Sequence, residues 1–283
     1  MGKVKIIETV RDGLQGLEAL IPTSKKVEYI NALLKVGFDA IDVGSFVSEK
    51  AIPQMADTAE VIRGLDLSNS KSKLMVLVAN KKGAEQAADF DSVDQIIYPF
   101  SVSETFFKKN INADFKKAER QMDEIINVCQ KNGKEVIIYL SMAFGNPYQD
   151  SWNMEIIHYW VEKLIEKGVQ IIPLSDITGE STPEKINAVF SSLIPNYPQV
   201  EFGFHLHTKK EGWYEKVDAA YQSGCRRFDS VLGGLGGCPM TGYELLSNLD
   251  TADLLFYLEK NKIETKILKD HFEKGKNFVR QLF

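Results

Sequence analysis

Short β-branched runs alternate with longer amphipathic ones from one end of this chain to the other. Strand patterns fall at residues 4–9, 40–44, 74–79, 94–99, 136–141, 170–174, 201–207 and 227–231. Helical spacing fills the intervals, at residues 24–36, 54–63, 82–88, 114–131, 154–167, 183–194 and 211–223, with a last segment over 243–260. Alternating β and α elements demand parallel strands joined by right-handed crossovers. That leaves a closed barrel or a doubly wound open sheet. A dinucleotide-binding open sheet would carry G-x-G-x-x-G after its first strand. This chain has Val10-Arg11-Asp12-Gly13-Leu14-Gln15 there, charged and nearly free of glycine. The expected fold is therefore α/β: a single (β/α)8 TIM barrel over residues 1–283, with a short C-terminal helical extension and its active site at the C-terminal ends of the strands.

Composition narrows the partners. The 283 residues are 44% hydrophobic and 26% charged, enough for a sizeable core. A formal net charge of -5, with Lys and Arg spread along the chain, argues against nucleic acid. No apolar run reaches the ~18 residues of a membrane span. The first strand begins almost at once, leaving no room for a signal peptide ahead of the fold. Three widely spaced cysteines (Cys129, Cys225, Cys238) do not make a disulfide framework, which points to a reducing, cytoplasmic setting.

Polar residues at the ends of apolar strands are the candidates for chemistry. Strand one runs into Arg11 and Asp12, strand two into Asp42, Ser45 and Phe46, strand five into Ser141 and strand six into Asp176. Strand seven ends in His205-Leu206-His207, and strand eight leads into Gly233-Gly234-Leu235-Gly236-Gly237-Cys238-Pro239. On a strand, residues i and i+2 share a face, so both imidazoles can reach one ion. In a closed barrel Asp12 comes from the strand beside strand eight. Two imidazoles with a carboxylate and waters suit Mg²⁺ or Mn²⁺, and ligand types alone leave zinc open. Arg11 reads either as half of a surface ion pair or as a group that neutralises a developing oxyanion. A thiol in a glycine-rich loop above a barrel reads as reactive, and the glycines as what lets that loop close and open. Cys129 and Cys225 read as packing or surface residues, and His158 and His271 as helix residues away from the mouth.

With these residues in view, the chain resembles the hydroxymethylglutaryl-CoA lyases within a wider group of metal-dependent lyase barrels. The resemblance opens at Arg11-Asp12-Gly13-Leu14-Gln15 and continues through Ser45-Phe46-Val47-Ser48 and Pro53-Gln54-Met55. It returns at Ser103-Glu104, Lys108-Lys109-Asn110-Ile111-Asn112 and Asn146-Pro147-Tyr148, and closes with His205-x-His207 and residues 233–239. It implies metal-dependent cleavage of 3-hydroxy-3-methylglutaryl-CoA to acetyl-CoA and acetoacetate. Carried over residue by residue, Asp12, His205, His207 and Asn248 would be metal ligands, and Arg11 would stabilise the enolate oxygen. Cys238 would protonate the enolate, while Asp42 and Asp176 would support proton transfer from the tertiary hydroxyl. Gln15, Ser45, Phe46, Asn110 and Ser141 would line the acyl-CoA, and by analogy the chain would form a homodimer.

The chain departs from the family pattern at Asp42, where glutamate is usual, at Pro173 in place of serine, and at Thr208 in place of aspartate. Asn248 is displaced by one residue relative to the cysteine. A related 3-hydroxyacyl-CoA substrate fits the same residues. Two other readings stand beside the lyase. Condensing enzymes of the isopropylmalate or citramalate synthase type share the arginine–aspartate pair and H-x-H, but usually continue into a long regulatory part. An acyl-CoA-binding or metal-binding barrel without turnover is the non-enzymatic reading.

Overall fold

The computed structural model describes residues 3–17, 19–111, 113–237 and 246–282, without the side chains of residues 110, 111, 281 and 282. Eight parallel strands run in chain order: β1 (Lys5–Glu8), β2 (Ala40–Ser45), β3 (Lys73–Leu77), β4 (Gln95–Ser101), β5 (Glu135–Ser141), β6 (Ile171–Asp176), β7 (Glu201–Thr208) and β8 (Arg227–Ser230). Each pairs with its sequence neighbour, and β1 also pairs with β8, with Lys5 opposite Arg227 and Glu8 opposite Ser230. The sheet therefore closes into the expected barrel.

Local chemistry explains the helices that cover it. Helix α6 (Phe115–Lys131) starts at Asp114, whose carboxylate accepts from the Lys117 amide at 2.8 Å, and it buries Ala118, Met122, Ile125, Ile126 and Cys129 along one face. Helix α7 (Met154–Glu166) is capped by Asn153 in the same way and buries Ile157, Trp160, Val161 and Leu164. A side-chain cap of this kind is worth ~1 kcal/mol, so most of each helix's stability comes from its apolar face. Among the described residues no helix is long and apolar enough to cross a membrane.

Period-two alternation decides what faces the barrel interior. Ile6, Ile41, Leu74, Val76, Ile96 and Ile138 belong to the large core between strands and helices. The alternate positions Ile7, Ala40, Met75, Ile97, Ile137 and Tyr139 form a separate cluster inside the barrel. By the same parity Asp42, His205, His207 and Asp229 point inward, above that cluster. Asp176 shares parity with Ile172 and Leu174, which face the helices.

Several local features differ from the sequence pattern, among them a helix over Glu104–Ile111 that the spacing does not predict. The expected helix at 54–63 is a 3-10 turn (Pro53–Met55) followed by α3 (Thr58–Arg63), because Thr58 Oγ1 donates to the Met55 carbonyl and accepts from the Ser45 amide at 3.0 Å. Arg11 and Asp12 lie in a short helix, α1 (Val10–Gln15), rather than at the end of β1. Of the expected segment 243–260, residues 243–245 lie outside the described residues and α10 begins only at Thr251, running to Lys260 with Asp250 as its cap. Just before it, β9 (Ser247–Asn248) pairs antiparallel with the end of β7. The C-terminal extension is α11 (Lys269–Leu282).

Candidate metal centre at the barrel mouth

Asp12, His205 and His207 come together, all buried. His205 Nε2 lies 2.9 Å from His207 Nε2, and Asp12 Oδ2 lies 3.7 and 3.4 Å from those two atoms. Adjacent ligands of an octahedral ion with bonds of about 2.1 Å stand about 3 Å apart, so this spacing fits a small divalent cation. Asp12 Oδ2 is buried and, among the described residues, has no hydrogen-bond partner. An ionised oxygen left this way costs free energy unless a cation meets it. The donor set and the unpartnered oxygen therefore both fit a metal.

Arg11 joins the trio to Asp42. Its Nε and Nη2 meet Asp42 Oδ2 at 2.9 and 2.7 Å, while Nη1 donates to Asp12 Oδ1 at 2.9 Å and to Gln15 Oε1 at 3.0 Å. Gln15 Nε2 in turn donates to Asp12 Oδ1. Asp42 reaches this position beside a bulge in β2, where Asp42 pairs with Met75 but Gly44 with Val76, leaving Val43 unmatched. Bulges of this kind re-aim side chains at barrel rims.

Charge is unevenly distributed. Burial raises the Asp12 carboxyl, but Arg11 and then the two imidazoles outweigh it and hold it well below the usual range. At Asp42 burial prevails over Arg11 and pushes the carboxyl from 3.8 up to about 6, with Asp12 and Asp229 adding to the rise. Burial also opposes charge on His205, but the Asp229 hydrogen bond and Asp12 win, and its pKa rises. Burial carries His207 the other way, toward the neutral form. One mouth thus holds one firmly ionised carboxylate, one poised carboxyl and two dissimilar imidazoles.

Asn248 stands opposite His207 through the β7–β9 pairing, and its amide donates to the Leu235 carbonyl at 2.9 Å. Asp176 makes a different set of contacts: its carboxylate accepts from the Glu180 amide and from the amide and hydroxyl of Ser181, and pairs with Lys216 at 3.6 Å. Ser45 Oγ accepts from the Val47 amide, and Ser141 is buried at the end of β5. The Phe46 ring stacks on Phe90 at 5.8 Å and lines a groove with Ile62 and Arg63. Cys238 and the Asn110 side chain lie outside the described residues. Cys129 and Cys225 are free and buried, and His158 bonds Tyr197 and Ser192 rather than anything at the mouth.

The glycine run before Cys238 is built for close approach. Gly236 has φ +84°, and a Cβ there would collide with the Asp12 carbonyl and meet the Gly13 Cα at 2.8 Å. The segment therefore lies directly on the backbone of a candidate ligand, which adds a packing reason to the expected freedom of the loop. Two inward residues escaped sequence reasoning, Tyr139 and Asp229. The signal was there in Arg227-x-Asp229, charged residues at alternate positions of a strand inside a barrel.

Comparison with known proteins gives the family. The HMGL-like family model matches residues 3–279. The hydroxymethylglutaryl-CoA lyase YngG of Bacillus subtilis (strain 168) is 31% identical over 257 residues, 91% of this chain and 85% of the relative. The cytoplasmic 3-hydroxy-3-methylglutaryl-CoA lyase of Rattus norvegicus is 32% identical over 265 residues, 93% of this chain and 76% of the relative. A solved HMG-CoA lyase from Acenitobacter baumannii, in complex with coenzyme A and 3-methylmalate, superposes with a TM-score of 0.91 at 30% identity, covering 99% of this chain and 91% of that one.

Proposed function

This chain belongs to the HMGL-like family, and we propose that it is a divalent-metal-dependent carbon–carbon lyase that cleaves 3-hydroxy-3-methylglutaryl-CoA to acetyl-CoA and acetoacetate. The observation that carries the reading is the buried Asp12–His205–His207 trio joined to Asp42 through Arg11, in a chain similar to such lyases over nearly its whole length. Asp12, His205 and His207 would hold Mg²⁺ or Mn²⁺, with Asn248 beside His207 as the fourth candidate. When bound, the ion lowers the pKa of a coordinated hydroxyl and fixes the substrate's orientation.

The chain's own residues supply the rest. Asp42, pushed up to about 6, accepts the proton of the tertiary hydroxyl. The hydroxyl oxygen becomes the ketone of acetoacetate as the bond between the two carbons breaks. The electron pair goes to the acyl-CoA fragment as an enolate, and Arg11 stabilises its oxygen. Cys238 returns a proton to the enolate carbon. Asp176, held by Ser181 and Lys216, supports proton transfer from the rim by keeping the loop after β6 in place. Gln15, Ser45, Phe46, Asn110 and Ser141 are the proposed substrate-lining residues. The wide spacing of the three cysteines in the sequence is what supports a cytoplasmic compartment.

The test is acetoacetate release from hydroxymethylglutaryl-CoA with Mg²⁺ or Mn²⁺, and then with a chelator. Metal-dependent release that is lost in His205→Ala and Cys238→Ala is the expected outcome. Metal uptake without release would overturn this substrate and direct the search to other 3-hydroxyacyl-CoAs or to a binding role.

A further inference from the structure

We propose that Asp229 is the positioning residue of the metal centre: it fixes the tautomer and orientation of His205 so that Nε2 presents its lone pair to the ion. The inference rests on the metal reading above. His205 Nδ1 lies 3.2 Å from Asp229 Oδ2, and the Asp229 side chain has no exposure. An ionised carboxylate only accepts hydrogen bonds, and a neutral imidazole has one N–H. A proton on Nδ1 serves that contact and frees Nε2, which faces His207 Nε2 and Asp12 Oδ2.

Asp229 is itself held from two sides. Tyr139 donates its hydroxyl to the same Oδ2 at 2.6 Å, and its ring meets the His205 ring edge-on at 5.4 Å. Below, Arg227 Nε approaches Asp229 Oδ1 at 4.0 Å, and Arg227 Nη1 bonds Glu201 at 3.1 Å. Gly203 makes room for this arginine, since a Cβ there would meet Arg227 Cδ at 2.9 Å. A column of alternating charge, Glu201–Arg227–Asp229, thus runs up the barrel interior and ends under His205.

Among the described residues His207 has no equivalent support: its Nδ1 is buried with no hydrogen-bond partner there. Among the described residues, then, a side-chain carboxylate stands behind His205 and none behind His207. Loss of a carboxylate behind a metal-binding histidine typically weakens metal affinity about 10–100-fold.

The full-length protein is titrated with Mn²⁺ as wild type, Asp229→Ala and Asp229→Asn, with free Mn²⁺ read by electron paramagnetic resonance. The alanine variant is expected to bind about 10–100-fold more weakly. The asparagine variant, whose amide oxygen can keep both accepted bonds, should recover part of that loss, and it stands in if the alanine variant does not fold. In parallel, ¹⁵N-histidine spectra in alkaline buffer report the tautomer directly, since the chain has only 4 histidines. His205 should carry its proton on Nδ1 in the wild type and lose that preference in Asp229→Ala. Equal Mn²⁺ affinity in the folded variants, or an Nε2–H form of His205 in the wild type, overturns the proposal. A wild type that takes up no Mn²⁺ sinks the metal reading instead, and the tautomer then decides by itself whether Asp229 orients His205.

Discussion

Arg11 spends its guanidinium in three directions at once. Two of its nitrogens grip one oxygen of Asp42, and the third reaches Asp12 and Gln15. A lysine keeps the charge but has neither the planar fork nor the reach to hold both carboxylates. Arg11→Lys is therefore expected to lower kcat on the order of 10²–10³-fold, the usual loss when one donor to a developing oxyanion is removed. Mn²⁺ affinity should fall much less, because Asp12 turns its other oxygen toward the histidines. Steady-state kinetics beside a metal titration separates the two effects. A parallel collapse of both would assign Arg11 to metal-site assembly instead. Sequence reading put Arg11, Asp12, Asp42 and the histidines in one place because it assigned each to a strand end, although Arg11 and Asp12 lie one short helix beyond β1. It could not show that Asp176, also at a strand end, faces the helices' side, since that depends on strand parity at a boundary uncertain by a residue or two.

Elements with their own apolar face and cap were legible before the structure, and elements held by neighbours were not. Helices α6 and α7 carry both signals within their own residues. Helix α1 has six residues, a glycine and no side-chain cap bond, and β9 exists because two residues pair with the end of β7. The glycine segment after β8 belongs to this second kind. Gly236→Ala would put a methyl group against the Asp12 carbonyl at a backbone conformation that side chains rarely adopt. Left-handed strain of this sort costs about 1–3 kcal/mol. The segment should lift from α1, so metal affinity and turnover are expected to drop together while circular dichroism stays unchanged. A Gly236→Ala protein with wild-type Mn²⁺ affinity would show that the contact does not hold Asp12 in place.

At the scale of the whole molecule the barrel closes where β1 meets β8, and a carboxyl is buried at that seam. Glu8 has the outward parity of Ile6, receives the Leu232 amide and the Thr251 hydroxyl at 2.7 Å each, and so ties β1 to the start of the glycine segment and to α10. Nothing in a strand-like Val4-Lys5-Ile6-Ile7-Glu8 announces this, because the partners lie more than two hundred residues away. Burial, opposed by those two bonds, pushes Glu8 from 4.5 up to about 8. Between those values the folded chain binds a proton that the unfolded chain has released, so stability must fall as pH rises from about 5 to about 8. A tenfold change in proton affinity is worth about 1.4 kcal/mol, and the loss expected from Glu8 across that window is about 1–3 kcal/mol. Asp42, also raised by burial, contributes in the same direction, so the wild-type slope alone does not isolate Glu8. Glu8→Gln does: its amide can donate to Thr251 and accept from Leu232 without titrating. Urea midpoints across this range should diverge, with the variant gaining on the wild type as pH rises. Parallel midpoints would mean that Glu8 is ionised in the fold and that the seam is held as an anion by its two donors.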